Sequence, residues 1–418
     1  MTNEIFEHNS TETPKAPQQP LSEYVPSPSP QENGNDNGND NDNATETLFE
    51  EVNRMYTIRE AINEAKRCLH CKVPQCKKAC PIENNIPDFI HELSKGNMGE
   101  AMNVLHEKTN LPAICGRVCP HEKQCEGHCV LGKKGRPVRI GKLESFIAQF
   151  DSDMQLTHER IPEKTRGKVA IIGSGPAGLT VAGDLARQGF HVTIFEGQPE
   201  AGGVLMYGIP EYRLPKAVVR NEIKKIEDLG VHFVRNCLVG TPESGVTVDS
   251  LFAEGFDAIF MGTGTALPQN LSIPGSDLRR VTQSTDFLHN VNAYVEGALP
   301  MEMVPLRKGD KVAVIGGGNV AMDAARTARR LGADVTVIYR RTQAEMPAIQ
   351  SEYEDAVKEG VNFMWQTNSL EFLGNKKGRV CAIRLSTPDG ECTEPFDRVF
   401  LAIGSPPCQP HRQLNARH

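Results

Sequence analysis

KVAIIGSGPAGLTVAGDLARQGFHVTIFE, residues 168–196, reads as a buried strand, a glycine turn, an amphipathic helix and a second strand. Its turn spans Gly173, Ser174, Gly175, Pro176, Ala177 and Gly178. The first glycine permits a tight turn, the second lets a pyrophosphate approach the backbone, and the third lets helix pack on strand. The helix N-terminus offers amides and a positive dipole end to phosphates. Glu196 ends the second strand, 23 residues beyond Gly173, where a carboxylate accepts bonds from ribose hydroxyls. The stretch therefore predicts a dinucleotide-binding βαβ unit.

The same pattern returns in KVAVIGGGNVAMDAARTARRLGADVTVIYRR, residues 311–341. Here Gly316 and Gly318 lead into Asn319, Val320 and Ala321, and the strand-end carboxylate is replaced by Tyr339, Arg340 and Arg341. A guanidinium fork suits a ribose 2′-phosphate, so this site is expected to prefer NADP over NAD. Arg326, Arg329 and Arg330 on the helix between are read as surface charge first and as cofactor contacts second. FDAIFMGTGTALP (256–268) and FDRVFLAIGSPP (396–407) also match each other. From Gly173 to Gly264 is 91 residues, and from Gly316 to Gly404 is 88. Two tandem α/β units are thus expected, both Rossmann-like. Glu196 suits the ribose of FAD and the arginines suit NADPH, which together make a path for hydride.

Composition narrows the remainder. The 418 residues are 39% hydrophobic and 24% charged, with a formal net charge of −7. That balance argues against a nucleic-acid footprint, and no apolar run has the length to span a bilayer. The opening MTNEIFEHNS lacks signal-peptide and transit-peptide features, which predicts a reducing cytoplasmic setting. Residues 1–50 are rich in Pro, Ser, Asn, Asp and Gly and read as a disordered tail. Helical spacing of Ile58, Ile62, Ala65 and Leu69 opens an α-helical region over 51–150, with a break near Gly96. DSDMQLTHERIPEKTRG reads as a linker. The FAD unit is expected over 165–295, the NADPH unit over 296–407, and an atypical tail over 408–418.

Eight of the twelve cysteines fall between 68 and 129. CLHCKVPQCKKACP gives C-x2-C-x4-C-x3-C-P, and CGRVCPHEKQCEGHC gives C-x3-C-x5-C-x3-C. Zinc sites pair short C-x2-C units with another such pair or with histidines, which these uneven gaps match poorly. Proline after the fourth cysteine is a feature of ferredoxin-type iron–sulfur runs. Iron–sulfur is the favoured reading, with zinc and disulfides as alternatives. His70, His121 and His128 sit among the cysteines and offer ligands, but exposed loop histidines are the favoured reading.

EAKRCLHCKVPQCKKACPIENNIPDFI, LPAICGRVCPHEKQCEGHCVLGKKG and AGGVLMYGIPEYRLPK resemble the small (beta) subunit of NADPH-dependent glutamate synthase. They are also similar to the flavoprotein subunit of NADH-dependent reduced ferredoxin:NADP oxidoreductase and to the N-terminal part of dihydropyrimidine dehydrogenase. The resemblance implies two [4Fe–4S] clusters with crossed ligation. One would be held by Cys68, Cys71, Cys76 and Cys129, the other by Cys80, Cys119, Cys125 and Glu144, leaving Cys115 as a spare thiol. It extends the flavin site to Gly203, Val204, Arg213, Thr263 and Gly264. It implies an oxidoreductase in which NADPH reduces FAD and electrons leave singly through the clusters to a protein acceptor. The partner would be the glutamate synthase large subunit or a ferredoxin-type protein, in a hetero-oligomer without nucleic acid or membrane. The reverse, ferredoxin-driven direction and a non-catalytic iron–sulfur remnant are the alternatives. Members of the family return to the flavin domain after an AIGSPP-like stretch, whereas this sequence ends in CQPHRQLNARH. An incomplete flavin site with weak flavin retention is the expectation from that difference.

Overall fold

The computed structural model describes residue 24 and residues 48–157, 159–265 and 269–404. The first part is helical: α1 (Ile58–Ala65), α2 (Gln75–Lys78), α3 (Ile86–Lys95), α4 (Met98–His106), α5 (Pro112–Val118) and α6 (Ile140–Met154). Thr57 and Glu60 form a capping box that starts α1, satisfying amides that have no partner within the helix. Gly96, at φ 87°, ends α3 in the left-handed region that favours glycine. Phe89, Leu93, Met102, Leu105, Leu143 and Phe146 form the core of this helical unit. Helix α1 stops at Ala65, earlier than its apolar spacing predicts, because Cys68 N turns back to Ala65 O. Leu69 therefore lies outside the helix and is exposed.

Two parallel sheets follow. The first has order β3–β2–β1–β4, built from β1 (Lys168–Ile172), β2 (His191–Phe195), β3 (His232–Val234) and β4 (Ala258–Met261). Helix α7 (Pro176–Arg187) links β1 to β2; α8 (Val204–Tyr207), α9 (Lys216–Asp228) and α10 (Val248–Ala253) complete this half. The second sheet has order β5–β12–β6–β7–β8, from β5 (Val281–Gln283), β6 (Lys311–Ile315), β7 (Asp334–Ile338), β8 (Asn362–Met364) and β12 (Arg398–Leu401). Helices α11 (Ser284–Val295), α12 (Asn319–Arg330) and α13 (Gln350–Lys358) cover it. The duplicated stretches take equivalent places: β4 lies beside β1, and β12 beside β6. An antiparallel ribbon of β9 (Asn368–Gly374), β10 (Val380–Thr387) and β11 (Gly390–Pro395), unforeseen in the sequence, precedes β12.

Four expectations need correction. Residues 281–295, assigned above to the FAD unit, belong with the second sheet, because Val281 pairs with Val399 of β12. The tail does not run unbroken to residue 50: Phe49 is 2% exposed and stacks on Tyr212, and Tyr24 donates to Asp153 Oδ2 at 2.6 Å. An aromatic ring in each place supplies the apolar area that the polar residues around it lack. The remaining tail residues and 405–418 lie outside the described residues. The linker is helical as far as Met154, and beyond it Glu159 pairs with Arg187 at 2.6 Å.

The fourth concerns Arg326, which is fully buried rather than a surface charge. The turn Tyr212–Arg213, on the first nucleotide unit, inserts against α12 and α13 of the second. Arg213 Nη1 donates to both carboxylate oxygens of Asp323, at 2.8 and 2.9 Å, and its Nε lies 2.9 Å from Glu352. Arg326 pairs with the other oxygen of Glu352 and with Glu359, while Arg330 reaches Glu359 and the carbonyl of Leu48. Both guanidinium groups lie over the ring of Tyr212, at 4.8 and 4.2 Å. Helical spacing of four puts Arg326 and Arg330 on one face, and docking of the Tyr212 turn buries that face. Arg213→Met should cost about 3–5 kcal/mol of stability, because it strands Asp323 without its counter-charge. Urea unfolding would measure the loss, and R213M/D323L should recover most of it.

Candidate redox site

At the first nucleotide turn, Gly173 has φ 98°, and a Cβ there would lie 2.6 Å from Gly262 O. A Cβ on Gly178 would lie 2.0 Å from Gly173 O. Space therefore requires both glycines, and at Gly173 the backbone angle requires it as well. Gly175 caps the N-terminus of α7, and Pro176 occupies its first turn, where a missing N–H costs nothing. Gly203, at φ 53°, packs against Gly175, and Val204 beside it is exposed. Glu196 is buried and accepts from Ser174 N at 2.9 Å and from Gln198 N at 2.8 Å. Ser174 Oγ donates to Glu196 and accepts from Gly202 N at 2.9 Å. The carboxylate thus braces the glycine turn against the 202–204 turn. Thr263 and Gly264 leave β4 beside Gly173. Arg213, which the resemblance assigns to the flavin, is instead committed to Asp323 and Glu352, as described above.

The second turn repeats the geometry. Gly316 has φ 140°, and a Cβ there would lie 2.2 Å from Ala402 O. Gly318 caps α12, whose first residues are Asn319, Val320 and Ala321. Asn319 Oδ1 accepts from Ile349 N at 2.9 Å, tying the turn to the start of α13. The ring of Tyr339 lies against Gly317, which brings the exposed Arg340 and Arg341 alongside the turn. Among the described residues, neither guanidinium has an ion pair.

The cysteine segments fold back on each other. Cys68, Cys71, Cys76 and Cys129 wall one cavity together with Leu69, Val130, Leu131 and Val138. Burial pushes the Cys76 thiol up to about 11, and the nearness of Cys68 and Cys129 adds to the rise. Cys68 is raised for the same reason, by burial first and then by Cys129 and Cys71. Cys80 lies within electrostatic range of Cys125, whose thiol is raised by burial and by Glu126 and Glu144. Glu144 is buried on α6, and burial, then Cys115, then Glu222 hold its carboxyl well above the usual range. Cys115 is raised by its hydrogen bond with Cys119 and by burial. The structure gathers Cys68, Cys71, Cys76 and Cys129 around one cavity, while Cys125 lies within electrostatic range of Cys80 and Glu144, and Cys119 touches Cys115.

These residues fit cationic clusters. A cation among the thiols reverses the rise, because ligation requires the thiolate. Around the second set, His121 Nε2 and Asn84 Oδ1 are buried without a partner, although Asn84 Nδ2 approaches Glu144 Oε1 at 3.5 Å. His121 is no exposed loop histidine: its ring packs on Gly141, and burial pushes its pKa down to about 4. His70 and His128 are exposed, as read. Among the described residues, no group of His, Cys, Asp and Glu is closed up tightly enough for a single metal ion.

Comparison with known proteins agrees with this geometry. Residues 45–156 match the model of dihydropyrimidine dehydrogenase domain II, 4Fe-4S cluster, and residues 167–415 match pyridine nucleotide-disulphide oxidoreductase. The glutamate synthase [NADPH] small chain of Halomonas elongata is 36% identical over 378 residues, covering 86% of this chain and 79% of that protein. The chain belongs to the glutamate synthase small-chain family. It is a flavin and iron–sulfur oxidoreductase of that family. The putative oxidoreductase AegA of Escherichia coli is 37% identical over 87% of this chain, which spans only 58% of AegA. A subunit of NAD-dependent dihydropyrimidine dehydrogenase, PreT of Salmonella typhimurium, is 34% identical over 85% of this chain and 82% of its own length. A 2-naphthoyl-CoA reductase structure shares the fold, with a TM-score of 0.50 and 21% identity over 77% of this chain and 46% of its own. No helix among the described residues is long and apolar enough to cross a membrane.

The close contact of Gly203 with Gly175 gives a direct test. Gly203→Ala adds a Cβ 3.0 Å from Gly175 Cα at a positive φ, a strain on the order of 1–3 kcal/mol. Flavin should bind roughly tenfold more weakly, as read by flavin content after dialysis, with the far-ultraviolet circular dichroism unchanged.

Proposed function

We propose that this family member carries electrons between NADPH and a partner protein, with FAD in the first nucleotide unit and two [4Fe–4S] clusters in the helical unit. The observation that carries the NADPH assignment is the pair Arg340–Arg341 at the strand end where the first unit has Glu196. Their guanidinium groups would hold a ribose 2′-phosphate that a carboxylate would repel. In each unit the amides at the start of α7 or α12 would hold pyrophosphate, and Glu196 would turn from Ser174 to the ribose hydroxyls of FAD. Ser174, Ala177, Gly203, Val204, Thr263 and Gly264 would line the flavin site. Cys68, Cys71, Cys76 and Cys129 would ligate one cluster, and Cys80, Cys119, Cys125 and Glu144 the other.

Bound flavin supplies the exchange between two-electron and one-electron chemistry, which a nicotinamide cannot perform with a cluster directly. The chain's own work is binding and positioning. Leu69, Val130 and Val138 line the first thiol cavity with apolar surface, and Glu122 accepts from Gln350 N and Ser351 N, at 3.0 and 3.2 Å, to clamp the cysteine loops to α13. The same parts serve either direction. Relatives named as subunits of larger enzymes support a protein partner and a hetero-oligomer.

Protein purified without air should hold about eight iron and eight acid-labile sulfide per chain, falling to about half in Cys129→Ala. Zinc in their place would overturn the relay. Loss of both arginines in R340S/R341S should lower kcat/KM for NADPH by about 10- to 100-fold. It should leave NADH oxidation with an artificial acceptor nearly unchanged.

A further inference from the structure

The chain is acidic overall, with a net charge of −7, yet the two segments around the first thiol cavity are wholly basic. Residues 66–78, KRCLHCKVPQCKK, hold five basic and no acidic residues, and so do residues 129–142, CVLGKKGRPVRIGK. The fold joins them: Arg67 donates to the carbonyls of Arg136 at 2.6 Å and Pro137 at 3.2 Å. Lys66, Lys72, Lys78, Lys133, Lys134 and Arg136 are exposed. Two nearby carboxylates are paired, Glu64 with Arg67 and Glu126 with Arg139, and the exposed Asp88 shares a hollow with Lys72 and Lys77. Inside this basic ring the cavity rim is apolar and open to solvent, with Leu69 59% and Val130 39% exposed, and Val73 beside them 55% exposed.

We propose that this rim is the docking face for an electron-carrier protein with an acidic surface around its own cofactor. The inference rests on the electron-relay reading above and adds where the partner binds and what charge it bears. An apolar centre within a charged ring is the anatomy of a transient interface: the ring steers encounter, and the centre excludes water once contact is made. An acidic partner would be drawn to a patch whose sign opposes that of the rest of the chain, and would be repelled elsewhere. The patch is also where the first thiol set comes closest to solvent, so a docked carrier would stand against the cluster held there.

The test uses holoprotein purified without air and a small acidic [2Fe–2S] ferredoxin as probe. Two reduced ferredoxins, giving one electron each, and one proton convert NADP+ to NADPH. Wild-type protein should show a second-order rate that falls steeply with added salt. K72E/K133E/K134E should lose about 10- to 100-fold of that rate and most of its salt dependence. Its iron and sulfide content, and its NADPH oxidation with uncharged benzoquinone, should match wild type. Equal ferredoxin rates in variant and wild type would overturn the proposal. So would an equal loss toward benzoquinone, or dissociation of a homodimer on charge reversal with the salt dependence intact, which would assign the face to a second copy of the chain. Failure of wild-type protein to oxidise NADPH with benzoquinone would instead sink the relay itself, and the docking role with it.

Discussion

Three charged side chains set how the nucleotide units meet. Arg213 reaches from the first unit into the second and divides its guanidinium between Asp323 and Glu352, all of them buried. Burial raises the Asp323 carboxyl even with Arg213 beside it, so the contact is held at a cost in desolvation. Arg326 offsets part of that cost by pairing with the other oxygen of Glu352, and Tyr212 Oη donates to the Asp323 carbonyl, although Glu359 Oε2 and Arg330 Nε stay buried without a partner. Tyr212 lies beneath two guanidinium groups and against Phe49, so cation–π contact and aromatic burial complete the joint. An apolar joint of the same area would admit sliding. A guanidinium held between two carboxylates admits one orientation, which the proposed exchange of hydride between two cofactors would require.

The helical unit is fastened to both neighbours by similar means. Asn110 donates to Thr180 O and Asp184 of α7, and Glu122 accepts from the first amides of α13. Acceptance at a helix N-terminus also sets a negative charge against the positive end of the helix dipole. These polar contacts orient a joint that apolar burial also holds, since Phe89, Ile114 and Leu143 of the helical unit share one core with Leu179, Leu205 and Val218 of the first nucleotide unit. Their own interior is electrostatically unfinished. Burial holds these thiols and the Glu144 carboxyl in their neutral forms, and an added positive charge, such as a cluster would provide, would favour their ionised forms.

Much of the site was readable before the fold. Gly173, Gly178 and Gly316 announce themselves because a turn with no room for a Cβ accepts only glycine. The thiol spacing pointed to iron–sulfur chemistry, although the partition of Cys68, Cys71, Cys76 and Cys129 into one set came from resemblance and was then seen as one cavity. His121 was missed, since nothing in HEKQ separates a histidine packed under Gly141 from a solvated one. Arg326 was misread for a related reason: an arginine in a polar stretch looks exposed until another unit covers it, whereas Arg213, given to the flavin by resemblance, is found paired with Asp323 and Glu352. The ribbon over 368–395 was missed because its alternation is short and its edges are polar.

What the sequence determined by itself is whatever depends on neighbours in the chain: two strand–turn–helix units, their glycines, the carboxylate at one strand end and the arginines at the other. Tertiary structure decided which charges remain available. Arg340 and Arg341 stay exposed beside their turn, while Arg326, fourteen positions before Arg340, is buried under Tyr212. Local pattern sets the direction in which a side chain leaves its helix or strand. Whether that direction leads to water, to a cofactor or into another unit is settled only when the units pack, since desolvation is a property of the assembled surfaces.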